Sequence, residues 1–466
     1  MFAWIPFRTA PVVGLGVALL ALWAPLPLPA QTAEERLQQL EEQVRVLKAA
    51  LEELRSQAPP TEGPSARPGD ARLDELARRI DLIAAELEDL KIGEAAVVAD
   101  ESVHGFGPAA SKIYRTEEGL SIGGYGEMLY EAFDSTRDDG SPSGETDELD
   151  FLRAIVYFGY KFNDNWLFNS EIEVEHASTG ERGSVSAEFA YFDFLWKPQL
   201  NVRGGLLLIP MGFVNELHEP TVFLTAKRPD TERLIIPTTW RENGLGIFGD
   251  LGDFNYRTYV VNGLDGSDFS SAGLRGGRQK GSRAKADDFA WVGRLDYNGT
   301  PGLQAGISAY LGDSGQGIEG SDGRSLGVGT TIFEGHVEWK WRGLELRGLW
   351  AHADVDDVAE LNEALGLAGA SSIGEELEGF YLQAGYDLLA GSGRSLIPFV
   401  RYEQVDTQKE VPSGFVRNPA RDFDSLTLGL AFKPIDQMIF KLDYQDFDNE
   451  VESATDQLNF AFGYAF

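Results

Sequence analysis

Residues 151–162 read FLRAIVYFGYKF. Leu152, Ala154, Val156, Phe158, Tyr160 and Phe162 occupy every second position, with Phe151, Arg153, Ile155, Tyr157, Gly159 and Lys161 between them. Successive side chains of a strand point to opposite faces, so a period of two is the mark of a strand rather than a helix. The same spacing places Trp166, Phe168, Ile172 and Val174 opposite Asn169, Glu171, Glu173 and Glu175. Ala190, Phe192, Phe194 and Trp196 share a face, as do Leu426, Leu428, Leu430 and Phe432. The chain ends with Leu458, Phe460, Phe462, Tyr464 and Phe466 on one side and Gln457, Asn459, Ala461 and Gly463 on the other. One side of each strand is apolar and often aromatic; the other is polar, charged or small.

A soluble sandwich and a membrane barrel both show such alternation. Three features favour the barrel. The apolar side chains are large and often aromatic at strand ends, as in an aromatic girdle. The repeat is even over a long stretch of chain. The terminal Phe466, with alternating aromatics before it, resembles the C-terminal signal of bacterial outer-membrane proteins. Sixteen candidate strands lie near 119–133, 149–162, 165–177, 185–197, 199–210, 244–251, 253–262, 287–298, 302–312, 325–340, 343–354, 376–389, 395–406, 421–434, 437–448 and 453–466. The expected fold class is therefore an all-β transmembrane antiparallel barrel of about sixteen strands, preceded by an α-helical coiled-coil segment. The barrel domain is expected over 118–466.

The 466 residues include no cysteine, 74 Asp and Glu, and 40 Lys and Arg, a formal net charge of −34. Absence of cysteine removes disulfides, thiolate metal sites and cysteine nucleophiles. The acidic balance opposes nucleic-acid binding through phosphates. His104, His176, His218, His336 and His352 stand in no HExxH or Gly-x-Ser-x-Gly context. No enzyme activity, catalytic residue, cofactor or metal ligand is assigned from the sequence.

Arg8, the apolar run Val12–Trp23 and the small Ala30 before Gln31 read as a signal peptide over 1–30. Leu37, Leu40, Val44, Leu47, Leu51 and Leu54 alternate three and four apart, an a/d seam that predicts a first coiled-coil helix over 31–57. A Pro-rich linker follows over 58–71. Leu73, Leu76, Ile80, Ile83, Leu87 and Leu90 repeat the seam in a second helix over 72–92, and 93–117 reads as a linker. The seams favour a homo-oligomer.

Within 148–250, three stretches carry a resemblance. They are ELDFLRAIVYFGYKFNDNWLFNSEIEVEHA (148–177), SAEFAYFDFLWKPQLNVRGGLLLIPMGF (186–213) and ENGLGIFGD (242–250). They resemble the phosphate-selective porin O and P family in order and spacing. A charged strand and a tight turn into a tryptophan precede a carboxylate-bearing strand, then an aromatic strand and a strand ending in Pro-x-Gly. The resemblance implies a trimeric sixteen-stranded pore with a loop folded into its lumen, and the passage of small anions such as phosphate. The helical N-terminus lies outside the family pattern.

Residues 211–243 alternate poorly and are long for a connection, which suits a constriction loop. Lys227, Arg228, Arg233 and Arg241 are its candidate anion-selecting side chains, since rings of cations favour anions. Nearby carboxylates can instead pair with them. Arg153, Glu171, Glu173 and Glu175 are further pore-lining candidates. Arg275, Arg278, Lys280, Arg283 and Lys285 form a basic cluster at the expected channel mouth. It suits anions or lipopolysaccharide phosphates, or a solvated loop balancing Asp265, Asp268, Asp287 and Asp288. Residues 112–466 hold 30 basic and 57 acidic side chains, so an acidic lumen could override these cations. The expected partners are outer-membrane lipids, lipopolysaccharide and other copies of the chain, with peptidoglycan within reach of the periplasmic coiled coil. A purely structural anchor is the alternative to a channel.

Overall fold

The computed structural model describes Arg78, residues 102–180 and residues 182–466. The chain divides into two compact units, 1–94 and 95–466. The signal peptide, both coiled-coil seams and the Pro-rich linker lie outside the described residues.

Among the described residues sixteen strands form one antiparallel sheet: β1 Gly119–Phe133, β2 Glu148–Lys161, β3 Trp166–Glu175, β4 Ser184–Lys197, β5 Leu200–Leu208, β6 Arg241–Leu251, β7 Phe254–Asn262 and β8 Phe289–Thr300, then β9 Leu303–Asp313, β10 Gly329–Trp341, β11 Leu344–Val355, β12 Glu376–Tyr386, β13 Ser395–Glu410, β14 Asp422–Ile435, β15 Met438–Asn449 and β16 Gln457–Ala465. Each pairs with its neighbours in sequence, and β1 pairs with β16 in the register Gly126↔Tyr464. The sheet closes, so no strand edge is left unpaired. Every strand bound agrees with its sequence-based expectation to within four residues. The largest differences are at β10, β13 and β16, where polar loop residues continue or interrupt the alternation.

The faces also follow the period. Val156, Phe158, Tyr160, Ile172, Phe192, Leu426, Leu428, Leu458 and Phe460 are exposed on the outside, while Ile155, Tyr157, Glu171, Glu173, Thr427 and Asn459 are buried within. The outer surface is thus apolar and the interior polar. Such an inversion places a barrel in hydrocarbon, because a closed sheet satisfies every backbone group without water. Phe162, Trp166, Trp196, Phe254, Trp341 and Tyr386 lie exposed beside the short turns, forming an aromatic belt at that end. No helix among the described residues is long and apolar enough to cross a membrane; this says nothing about crossing by strands.

Two segments enter the barrel. The first is 102–116, containing the short helix α1 Lys112–Arg115. Within the stretch read as a linker, its apolar Phe106, Ala109, Ala110 and Ile113 are buried. Phe106 stacks on Tyr191 with ring centres 5.3 Å apart. The Asn169 amide donates to Ala110 O at 3.1 Å. The second segment is the β5–β6 connection, 209–240. The constriction loop expected over 211–243 therefore ends earlier, because Arg241, Glu242 and Asn243 pair with Leu208, Leu207 and Leu206 as part of β6.

Candidate functional site

The β5–β6 loop crosses the lumen and is tied to the wall along its length. Its neck is closed by Asn215, whose amide donates to Ile209 O at 2.7 Å and Trp240 O at 2.9 Å, while its Oδ1 accepts from Trp240 N at 2.7 Å. Glu216 pairs with Arg257 on β7 at 3.0 Å. Glu219 accepts from Ala109 N at 3.0 Å and Ala110 N at 3.2 Å, joining the loop to the N-terminal segment.

Farther on, the wall supplies cations to the loop carbonyls. Lys433 donates to Thr221 O at 2.7 Å, Arg347 to Val222 O at 3.2 Å and Lys441 to Thr225 O at 3.0 Å. Arg401 reaches Thr225 Oγ1 at 3.0 Å. Carboxylates take the loop N–H groups: Asp443 accepts from Ala226 N and Glu403 from Thr231 N at 2.6 Å. Buried backbone groups must find partners, and here the lumen strands provide them. Much of the lumen charge is thereby committed to holding the loop.

At the long-loop end of the barrel, the loop and β1–β2 enclose a cavity of about 250 Å³. Arg153, Lys227, Arg228, Arg233 and Arg275 line it, with Glu127 and Glu131 as the acidic members. Lys227 pairs with Glu131 at 2.8 Å, and Arg153 lies 3.4 Å from Glu127. Arg228 and Arg275 are left over. Arg228 Nε and Nη2 and Arg275 Nη1 are sealed from solvent with no hydrogen-bond partner. Burial, then the cations Arg278, Arg228 and Arg233, push the Arg275 guanidinium down to about 9. Burial and Arg241 first push Arg278 down to about 10. A guanidinium resists losing its proton, so such a cluster is relieved instead by an anion among the arginines.

The structure brings some predicted residues together and separates others. Arg228 and Arg233 of the loop meet Arg275 of the expected mouth cluster. Arg233 is exposed and paired with Asp230 at 2.5 Å. Arg241, placed in the loop from sequence, stands on the wall and binds Glu188 at 2.7 Å. Glu171 and Glu173 face the lumen and are buried, while Glu175 accepts from Ser184 at the strand end. Of the remaining basic cluster, Arg278 donates to Thr239 O at 2.7 Å and Lys285 pairs with Asp265 at 2.8 Å. Lys280 and Arg283 are exposed at left-handed positions with φ of 55° and 48°.

Sequence reasoning does not pick out Arg203 or Asn215, and it reads Glu219 only as one of the loop carboxylates available to pair with the loop cations. Arg203 donates two hydrogen bonds to Asp193 at 2.8 and 2.9 Å and, from Nη2, a third to Tyr114 Oη at 2.7 Å. Its guanidinium lies against the rings of Phe106, Tyr191 and Phe248 at 4.4–4.6 Å. The apolar run Phe106–Ile113 before the first strand was the available signal that 102–116 does not run free.

No family model matches the chain. Among solved structures, OmpF of Salmonella typhi, in its complex with daunomycin, is 13% identical with a TM-score of 0.51, over 76% of this chain and 99% of that one. The anion-selective porin from Comamonas acidovorans is 11% identical with a TM-score of 0.46, over 75% and 100%. The likeness to OmpF, at 13% identity, is one of fold alone. A protein of Aquifex aeolicus (strain VF5), described as "uncharacterized protein", is 40% identical over 353 residues, 73% of this chain and 78% of that protein. On that similarity, this chain belongs to the same family as the Aquifex aeolicus protein.

Proposed function

We propose that this protein is an outer-membrane channel that passes small hydrophilic solutes by diffusion and favours anions, as its resemblance to the phosphate-selective porin O and P family implies. The observation that carries the anion reading is the cavity beside the β5–β6 loop. Five cations face two carboxylates there, and both Arg228 and Arg275 keep unpartnered nitrogens. Cations fixed at a narrowing lower the energy of an anion in transit and raise that of a cation. The apolar outer surface supports membrane residence, and the aromatic belt supports its interfacial alignment. The reading further includes export through the signal peptide 1–30, assembly into a homotrimer aided by the seams within 31–92, and a periplasmic location for those helices.

The test is the reversal potential of the purified, detergent-extracted protein in a planar bilayer under a potassium chloride gradient. The wild type is expected to give the anion-selective sign. Arg228→Gln with Arg275→Gln is expected to move the potential toward zero or past it. A cation-selective wild type would mean that the acidic lumen governs, and the anion reading would fall. Absence of conductance would favour the anchor.

A further inference from the structure

A second feature of the lumen is independent of the channel reading. His218 of the β5–β6 loop lies against Glu171 of β3, with Nε2 at 3.1 and 3.2 Å from the two carboxylate oxygens. Its other ring nitrogen, Nδ1, is 2.8 Å from Asn215 O. A carbonyl oxygen only accepts, so Nδ1 carries the proton in that contact. In the neutral ring Nε2 is then a lone pair facing a carboxylate. Two acceptors do not hold each other at such distances without a cation between them.

Glu171 is fully buried, and its ion-pair partner among the described residues is His218 alone. Tyr125 Oη is 3.4 Å from Glu171 Oε1. Among the described residues no arginine or lysine pairs with the carboxylate, although isolated buried charge is costly. Glu188 of β4 completes the group: donor atoms of Glu171, Glu188 and His218 lie within 4.8 Å of one another. Glu188 is 2% exposed. Its Oε1 is taken by Arg241 at 2.7 Å, but Oε2 is buried and receives no hydrogen bond. Glu173 approaches the same carboxylate, and Arg153 stands 3.9 Å behind Glu173.

We propose that Glu171, Glu188 and His218 bind a divalent transition-metal ion that staples the β5–β6 loop to the barrel wall. One imidazole and two carboxylates are a ligand set that zinc, iron or manganese accepts. Metal–nitrogen and metal–oxygen bonds of roughly 2.0–2.2 Å place tetrahedral ligand atoms about 3.3 Å apart, close to the separation between His218 and Glu171. The Asn215 carbonyl orients the ring as an outer partner, the usual arrangement for a ligating histidine. Asn215 is itself locked to Ile209 and Trp240, so the ring's position is inherited from the loop neck. Three different elements meet at the ion, which suits a structural site.

The experiment is metal content and ligation of the full chain, extracted in detergent, stripped with EDTA and re-equilibrated with zinc chloride. The expected result is about one zinc per chain by elemental mass spectrometry, with a histidine nitrogen in the zinc-edge X-ray absorption spectrum. His218→Gln and Glu188→Gln should each lower retention by about tenfold or more, while the barrel keeps its heat-modifiable migration on gels. Failure of the wild type to retain zinc, and likewise manganese or cobalt, would overturn the proposal and assign the cation between His218 and Glu171 to a proton. Zinc retained equally by both folded variants would also overturn it, by placing the metal elsewhere. If one variant does not fold, the wild-type stoichiometry and spectrum still decide.

Discussion

Asn215 and Trp240 hold each other through both polar ends of one side chain: Oδ1 accepts from Trp240 N at 2.7 Å, and Nδ2 donates to Trp240 O at 2.9 Å. The loop that crosses the lumen is thereby pinched at its neck, with Ile209 N also donating to Trp240 O at 3.0 Å. Asn215→Ala should orphan the Trp240 N–H and weaken two carbonyl contacts. The cost is roughly 1–3 kcal/mol for each buried group left without a partner. Urea unfolding in lipid vesicles measures the loss, and Asn215→Asp should recover the acceptor contact alone.

Arg203 is the fastener of the N-terminal segment. Arg203→Ala leaves Asp193 buried without its cation, a loss of about 3–5 kcal/mol for a broken buried pair. It also removes the surface on which Phe106 rests. The expected outcome is faster tryptic cleavage after Arg115 in the folded protein, read by mass spectrometry against the wild type. Cleavage at an unchanged rate would show that Phe106, Ala109 and Ile113 hold the segment without Arg203.

Gly463 on β16 faces Pro220 so closely that a Cβ at that position would fall 2.5 Å from the proline ring. A real Cβ needs more room, and the proline cannot flex away. Gly463→Ala should displace the loop or the strand and cost about 1–3 kcal/mol as overpacking. Gly119→Ala is the wrong control, since Gly119 has φ +100°; Gly335→Ala, with open space around it, is the right one and should leave stability nearly unchanged.

Leu428 lies at the middle of β14, 54% exposed to the outside. Leu428→Arg should destabilise the folded barrel in a bilayer by about 2–4 kcal/mol, the cost of a cation near the midplane. Loss of the effect in a detergent micelle, where the headgroup reaches water, would support a hydrocarbon environment. An equal cost in both would argue that Leu428 packs against protein instead.

Strands and faces were legible because a barrel wall is a local code. Whether Phe158 points out and Tyr157 in depends only on their own neighbours in sequence and the period of two. The ties across the lumen are not local. Nothing around Lys441 announces that its amine meets Thr225, and nothing around Glu403 announces Thr231. The loop shows in the sequence as a failure of alternation, but its end does not, because β6 begins with the polar Arg241, Glu242 and Asn243, which pair with β5. Arg228 was legible as a candidate cation, but its companion Arg275 comes from a separate loop, so the cavity they share emerged only from the fold. The His218–Glu171 contact was hidden for a similar reason: each residue reads as an ordinary polar group until the two elements meet.

The contacts of Thr225 and Ala226 with β15 reach across 216 and 217 positions of chain. Separation along the chain matters to such a design. The side chains that grip the loop between β5 and β6 belong to strands far along the chain. The loop gains these ties only once β15 stands in the wall. Slow closure is the expected kinetic signature, because these pairings are among the most distant in the sequence.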